Sequence, residues 1–155
     1  MKNLISLLDK TTSITLELLD VLKEEREALS QQDITILETV IEKKLGVAQA
    51  LQSLDQQRDN ALAKLGAPPG ATGTETVLAA HETNQQLHNS WQALCGVSHR
   101  CKEENLLVGT MIRKNKLVTD QALQVLRRGC IETEQTYSAN GVTAKQFQSS
   151  PLGKA

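Results

Sequence analysis

Large rings are what this sequence has least of: Trp91, Tyr137 and Phe147 are its only aromatics, 2% of 155 residues. Leu, Ile, Val and Ala must therefore fill any core. Aliphatic packing of that kind suits thin helical bundles better than sheets, whose strands favour aromatic and β-branched runs. No period-two alternation marks a strand. Proline is as scarce, with three in the chain and none between Thr76 and Glu134. Cysteine occurs at positions 95, 101 and 130, an odd count that does not read as a disulfide framework. No uncharged apolar run approaches bilayer length. The opening MKNLISLLDK becomes charged at Asp9 and Lys10, too early for a secretory segment. A soluble, cytoplasmic, all-α chain is the expectation.

Charge of one sign is also missing overall, since the net is -1, but the balance is uneven along the chain. Residues 1–98 hold 8 Lys/Arg against 13 Asp/Glu, and residues 99–155 hold 9 against 5. A basic C-terminal third raises nucleic-acid contact as a reading. No aromatic residues interleave with the basic ones, so no nucleic-acid partner is expected. Basic residues late on a helix complement its dipole, and the two halves attract each other.

What is present is helical periodicity. A first helix spans about 3–29, with Leu4, Leu8, Thr11, Thr15, Leu18, Leu22 and Leu29 on its seam and Leu19 and Val21 widening it. The KEERE cluster (Lys23 to Glu27) reads as a solvated face with i,i+4 pairing. Ser30 to Asp33 is a polar connector, and Asp33 is placed to N-cap the next helix. That second helix, about 34–65, puts Ile34, Leu37, Ile41, Leu45, Ala48, Leu51, Leu54, Leu62 and Leu65 on one side. Arg58 also sits on the seam, its stem covering apolar neighbours and its head reaching water or Asp55. Gly66 falls where a left-handed cap is expected, and Pro68 and Pro69 prevent continuation. The short joint makes an antiparallel hairpin.

After the break GAPPGATG, Thr72 and Glu75 match a capping box. A single long helix is expected over about 75–134, roughly 90 Å at standard rise. Alternate steps of three and four from Val77 trace a coiled-coil-like seam through Leu87, Trp91, Leu94, Cys101, Val108 and Ile112. Asn84, Asn105 and Asn115 fall on it, where single polar residues set register. The expected architecture is an antiparallel hairpin packed on this third helix, a coiled-coil-like three-helix bundle over 1–136, followed by a mobile tail, 137–155. The hairpin covers only about 40–50 Å of the long helix. Leu117, Val118, Ala122, Leu123, Val125, Leu126 and Ile131 then form an amphipathic surface with no partner in the chain. Such a surface is a liability unless something binds it, and helix-on-helix association is its natural use. Tyr137 and Phe147 in the tail offer stiff contact area to a partner.

Chemistry is harder to find. His81, His88 and Cys95 repeat at sevens, about 10 Å apart on a helix, too far to grip one ion. Cys95 with His99 lacks a third group or oxyanion hole. GAPPGATG has no lysine and joins no strand to its helix, so it is not a phosphate loop. No enzyme activity, metal or cofactor is expected.

The order of elements, with Glu42–Lys43 and then Leu51, Leu54, Asp55 and Arg58 in helix two, resembles the FlgN family of flagellar export chaperones. NLLVGTMI (Asn105 to Ile112) is similar to that family's N-x-x-N-G-x-L-I stretch, with Val108 in place of the second Asn and Met111 in place of Leu. TYSANG (Thr136 to Gly141) is similar to its tail element. The resemblance implies a cytosolic helical chaperone that binds the C-terminal regions of the hook-associated proteins FlgK and FlgL through its own C-terminal helical region. It implies Leu117 to Ile131 as the cargo face and Tyr137 as the residue that engages the export-gate protein FlhA. A structural coiled-coil adaptor, or a homodimer joined through helix three, is the alternative.

Overall fold

A computed structural model describes residues 1–134, with side-chain environments for 1–128. Every regular element described is a helix: α1 (Lys2–Gln31), α2 (Ile34–Lys64), α3 (Gly70–Ala80) and α4 (Gln85–Glu134). The chain divides into two units, Met1–Lys114 and Asn115–Ala155. No helix among the described residues is long and apolar enough to cross a membrane.

The hairpin forms as its capping chemistry predicts. Gln32 ends α1 in the left-handed region (φ 56°), and its N–H returns to the Ala28 carbonyl. The Asp33 side chain accepts from the Ile36 N–H at 3.0 Å, satisfying a free donor of α2. At the far end of α2, Gly66 takes φ 74°. Its N–H reaches Ala63 O, and the Ala67 N–H reaches Leu62 O, both at 3.0 Å. This pair of bonds is the Schellman closure that glycine permits.

Beyond this point the structure departs from the sequence expectation. The single long helix is two helices. α3 starts at Gly70, with Pro69 as N-cap and no side-chain cap. The Thr72–Glu75 box is not formed, because both residues already lie within α3. Instead the Asp59 carboxylate accepts the Gly70 N–H at 2.8 Å and ties the turn to α2. A Cβ on Gly73 would lie 1.6 Å from the Pro68 carbonyl oxygen, so only glycine allows α3 to fold back this tightly. The second break, at His81 to Asn84, comes from Asn84. Its side-chain oxygen accepts the Leu87 N–H at 3.1 Å and caps α4. Asn84 was expected on a continuous seam, but a short amide that competes with helical backbone bonds favours the start of a helix over its middle.

In the first unit α1 and α2 run antiparallel, as Leu8 with Leu62 and Glu25 with Lys44 require, and α4 runs parallel to α1, as Thr15 with Cys101 and Arg26 with Glu104 require. The principal core joins Leu4, Ile5 and Leu8 to Leu62, Val77, Leu78, Leu87 and Leu94, so all four helices meet there. Leu19 and Leu22 pack on Cys101, and Val21 packs on Val40 and Val47. The α1 seam stands as expected, with Leu18 half-buried and the rest buried. Thr11 and Thr15 satisfy their hydroxyls on the carbonyls of Leu7 and Thr11, at 2.8 and 2.7 Å.

The α2 seam is corrected. Ile34, Ile41, Leu45, Ala48 and Leu65 are exposed, Leu37, Leu51 and Leu54 are half-buried, and of that set only Leu62 is fully inside. The buried residues are Val40, Val47, Ala61 and Leu62. The true seam runs Val40, Lys44, Val47, Leu51, Leu54, Arg58 and Ala61, and two of its members are charged. Lys44 and Arg58 lend their stems to the interface. Their heads meet Glu25 at 2.7 Å and Asp55 at 3.1 Å. The KEERE cluster is likewise only partly solvated: Glu25 is buried against Lys44, and Arg26 meets Glu104 at 2.9 Å. The Arg26 Nε–H is not aimed at Glu104 Oε1, so the contact is an ion pair without an aligned hydrogen bond.

Candidate functional site

The second unit contributes the distal segment of α4. Leu117, Val118, Ala122, Leu123, Val125 and Leu126 are all exposed, with Val125 and Leu126 at 68% and 64%. At about 100° per residue, Val118, Ala122, Leu123, Val125 and Leu126 share an arc of about 160°. Leu117 lies about 80° beyond the edge of that arc, on a different side of the helix. Five of the seven expected positions thus form one face. Ile131 falls inside α4 but past the described side chains, and Tyr137 lies outside the described residues.

Charge frames this arc. Residues 113–128 carry Arg113, Lys114, Lys116, Arg127 and Arg128 against Asp120 alone. An apolar stripe with basic borders is suited to an amphipathic helical partner whose own borders are acidic or polar.

Within the first unit, α2 carries a second apolar surface that periodicity had assigned to the core. Ile34 and Leu45 are 71% and 60% exposed, and Ile41 stands beside them. On α4, Leu106, Leu107 and Ile112 are also exposed. The charged members of the true α2 seam were the available signal, since their i,i+3 and i,i+4 spacing from Val40, Val47 and Ala61 is heptad-like.

The first unit also holds an open groove of about 530 Å³, walled by Leu51, Arg58, Glu75, Trp91, Leu94 and Cys95. Cys101 also lines it and donates to the Thr15 carbonyl at 3.2 Å. Burial pushes the Cys101 thiol above its ordinary value, Asp20 adding to the rise while Arg100 and Lys23 oppose it. Cys95 is also pushed up, first by partial desolvation and then by the Glu75 carboxylate. Both thiols are therefore held protonated, the opposite of nucleophile activation. The histidines are not brought together for chemistry either. His81 ends α3, His88 Nδ1 lies 3.1 Å from the Asn84 carbonyl, and His99 faces Glu103 at 3.4 Å. No group of three His, Cys, Asp or Glu among the described residues is placed to hold a metal ion.

The first half of the NLLVGTMI stretch divides between inside and outside. Val108 is 1% exposed, so its aliphatic side chain is packed where the family pattern has an amide, while Leu106 and Leu107 face solvent. Asn105 is exposed and accepts from Lys44 Nζ at 3.4 Å.

Compared with known proteins, the chain matches the family model described as FlgN protein over residues 1–145. No curated protein and no solved structure gives a significant match.

Proposed function

Since the chain belongs to the FlgN family, whose members are non-enzymatic flagellar chaperones, we propose that it holds the hook-associated proteins FlgK and FlgL before their export. Cargo binds along the distal segment of α4, and Tyr137 engages the gate protein FlhA. The observation that carries this reading is the exposed arc of Val118, Ala122, Leu123, Val125 and Leu126 with its basic borders. Burying it against an amphipathic segment of cargo removes apolar surface from water on both sides, and the cost of ordering the cargo keeps the complex releasable.

The test uses purified FlgK and FlgL C-terminal segments with the full chain. Leu123→Asp together with Leu126→Asp places two charges in the arc and abolishes capture while the far-ultraviolet dichroism stays helical. Undiminished capture by that variant would sink the assignment. Tyr137→Ala leaves cargo capture intact and weakens the pulldown of FlhA; loss of cargo capture instead would show the two roles misassigned.

A further inference from the structure

We propose that a second copy of this chain covers the exposed stripe of α2, the distal segment of α4 from each copy lying along α2 of the other. The first surface is at the hairpin end of the first unit. Ile34, Ile41 and Leu45 share a side of α2 that α1 does not cover. Residues 17–44, which surround that end, hold eight Asp/Glu against four Lys/Arg, a net of -4. Glu38 and Glu42 border the stripe, are exposed, and make no ion pair among the described residues. The second surface is the distal segment with the α4 residues just before it, where residues 113–128 hold five Lys/Arg against one Asp, a net of +4.

Size and charge both match. Val118 to Leu126 spans about 12 Å along a helix, and Ile34 to Leu45 about 17 Å, so the shorter arc fits on the longer stripe. Pairing the two distal segments with each other would set +4 against +4, and like charges across an interface are strongly disfavoured. Pairing distal segment with hairpin end sets +4 against -4. Each copy carries one surface of each sign, so a second copy offers a complement to both. An anionic lipid surface fits less well. The arc has no aromatic anchor, and the acidic border of the α2 stripe would be repelled. Resting on the cargo reading above, the second copy shields the cargo face until cargo displaces it.

Sedimentation equilibrium of the full chain, without cargo, tests this. The expected result is a dimer that weakens as salt is raised. Glu38→Arg with Glu42→Arg, or Arg127→Glu with Arg128→Glu, weakens it by about tenfold or more, since each reversal acts at both contacts. An equimolar mixture of the two variants recovers the dimer, because the two substituted surfaces then meet each other while the unsubstituted pair still sets +4 against -4. Circular dichroism shows whether each variant keeps its helicity. A chain that stays monomeric at every concentration, a dimer indifferent to both reversals, or a mixture that fails to recover overturns the proposal. So does a monomer that floats with phosphatidylglycerol vesicles. FlgK capture by the Glu38→Arg, Glu42→Arg variant is read separately, so failure of the dimer leaves the cargo reading standing on its own test.

Discussion

Leu87 and Leu126 stand on the same helix, yet one is 0% exposed and the other 64%. The proximal part of α4 spends its apolar residues inside the first unit, where Leu87, Leu94, Cys101 and Val108 are buried at sevens. The distal part has a similar aliphatic content and leaves it in water. Composition and periodicity barely distinguish the two. The difference, among the described residues, is whether another helix sets residues against them, and apolar surface left exposed in this way is surface available to another molecule.

The largest expected effect separates the two parts directly. Leu62→Ala, at a site with no exposure where all four helices meet, costs about 3 kcal/mol in urea unfolding, from lost transfer energy and the cavity left behind. Leu126→Ala, measured at a dilution where copies do not associate, shifts the same curve by no more than about 0.5 kcal/mol, as exposed positions do. Equal effects would break the comparison. Next comes Gly73→Ala, which forces a methyl onto the Pro68 carbonyl and costs about 2 kcal/mol. Its amide spectrum should show α3 displaced and the distal segment of α4 untouched.

A smaller effect is expected at the start of α4. Asn84→Ala removes the side-chain acceptor of the Leu87 N–H and costs about 1 kcal/mol; Asn84→Asp, which keeps the acceptor, is near neutral, and hydrogen exchange at Leu87 reports which occurs. The smallest effect is chemical. In a Cys130→Ala background at pH 8, a thiol reagent modifies exposed Cys95 well before buried Cys101. The Cys101 pKa is raised above 9.0, so the thiol form that folding favours is intact below that value. Its contribution to stability is lost as pH rises through the folded pKa, and urea midpoints measured from pH 8 upward should fall less steeply in a Cys101→Ala variant.

Where local chemistry acts alone, the chain was legible. The Asp33 cap, the Gly66 turn and the α1 seam all appear where periodicity and capping place them. Two readings failed for one reason: residue type was weighed without its neighbours. Asn84 looked like a seam amide but bonds the backbone of its own next turn. Arg58 stands on the α2 seam with its head at Asp55, as its spacing indicates, but Lys44, whose stem occupies the same interface and whose head pairs with Glu25, was left off that seam. Counting only uncharged residues moved the α2 seam onto Ile34, Ile41 and Leu45, which are surface. Of the proposed cargo positions, Val118, Ala122, Leu123, Val125 and Leu126 share one exposed arc, whereas Leu117 lies about 80° beyond its edge, because a count of apolar residues along the chain ignores where each points around the helix.

The sequence by itself determined the all-α class, because scarce aromatics and long aliphatic seams leave no other way to bury apolar surface. It also determined the hairpin, because the capping residues at Asp33 and Gly66 act through bonds within a few residues of themselves. Only the tertiary structure decided which face of α2 is inside, since that depends on Glu25 of another helix accepting Lys44. It alone decided that α3 folds back on Pro68, since that depends on a backbone approach of two segments that no pattern of side chains records.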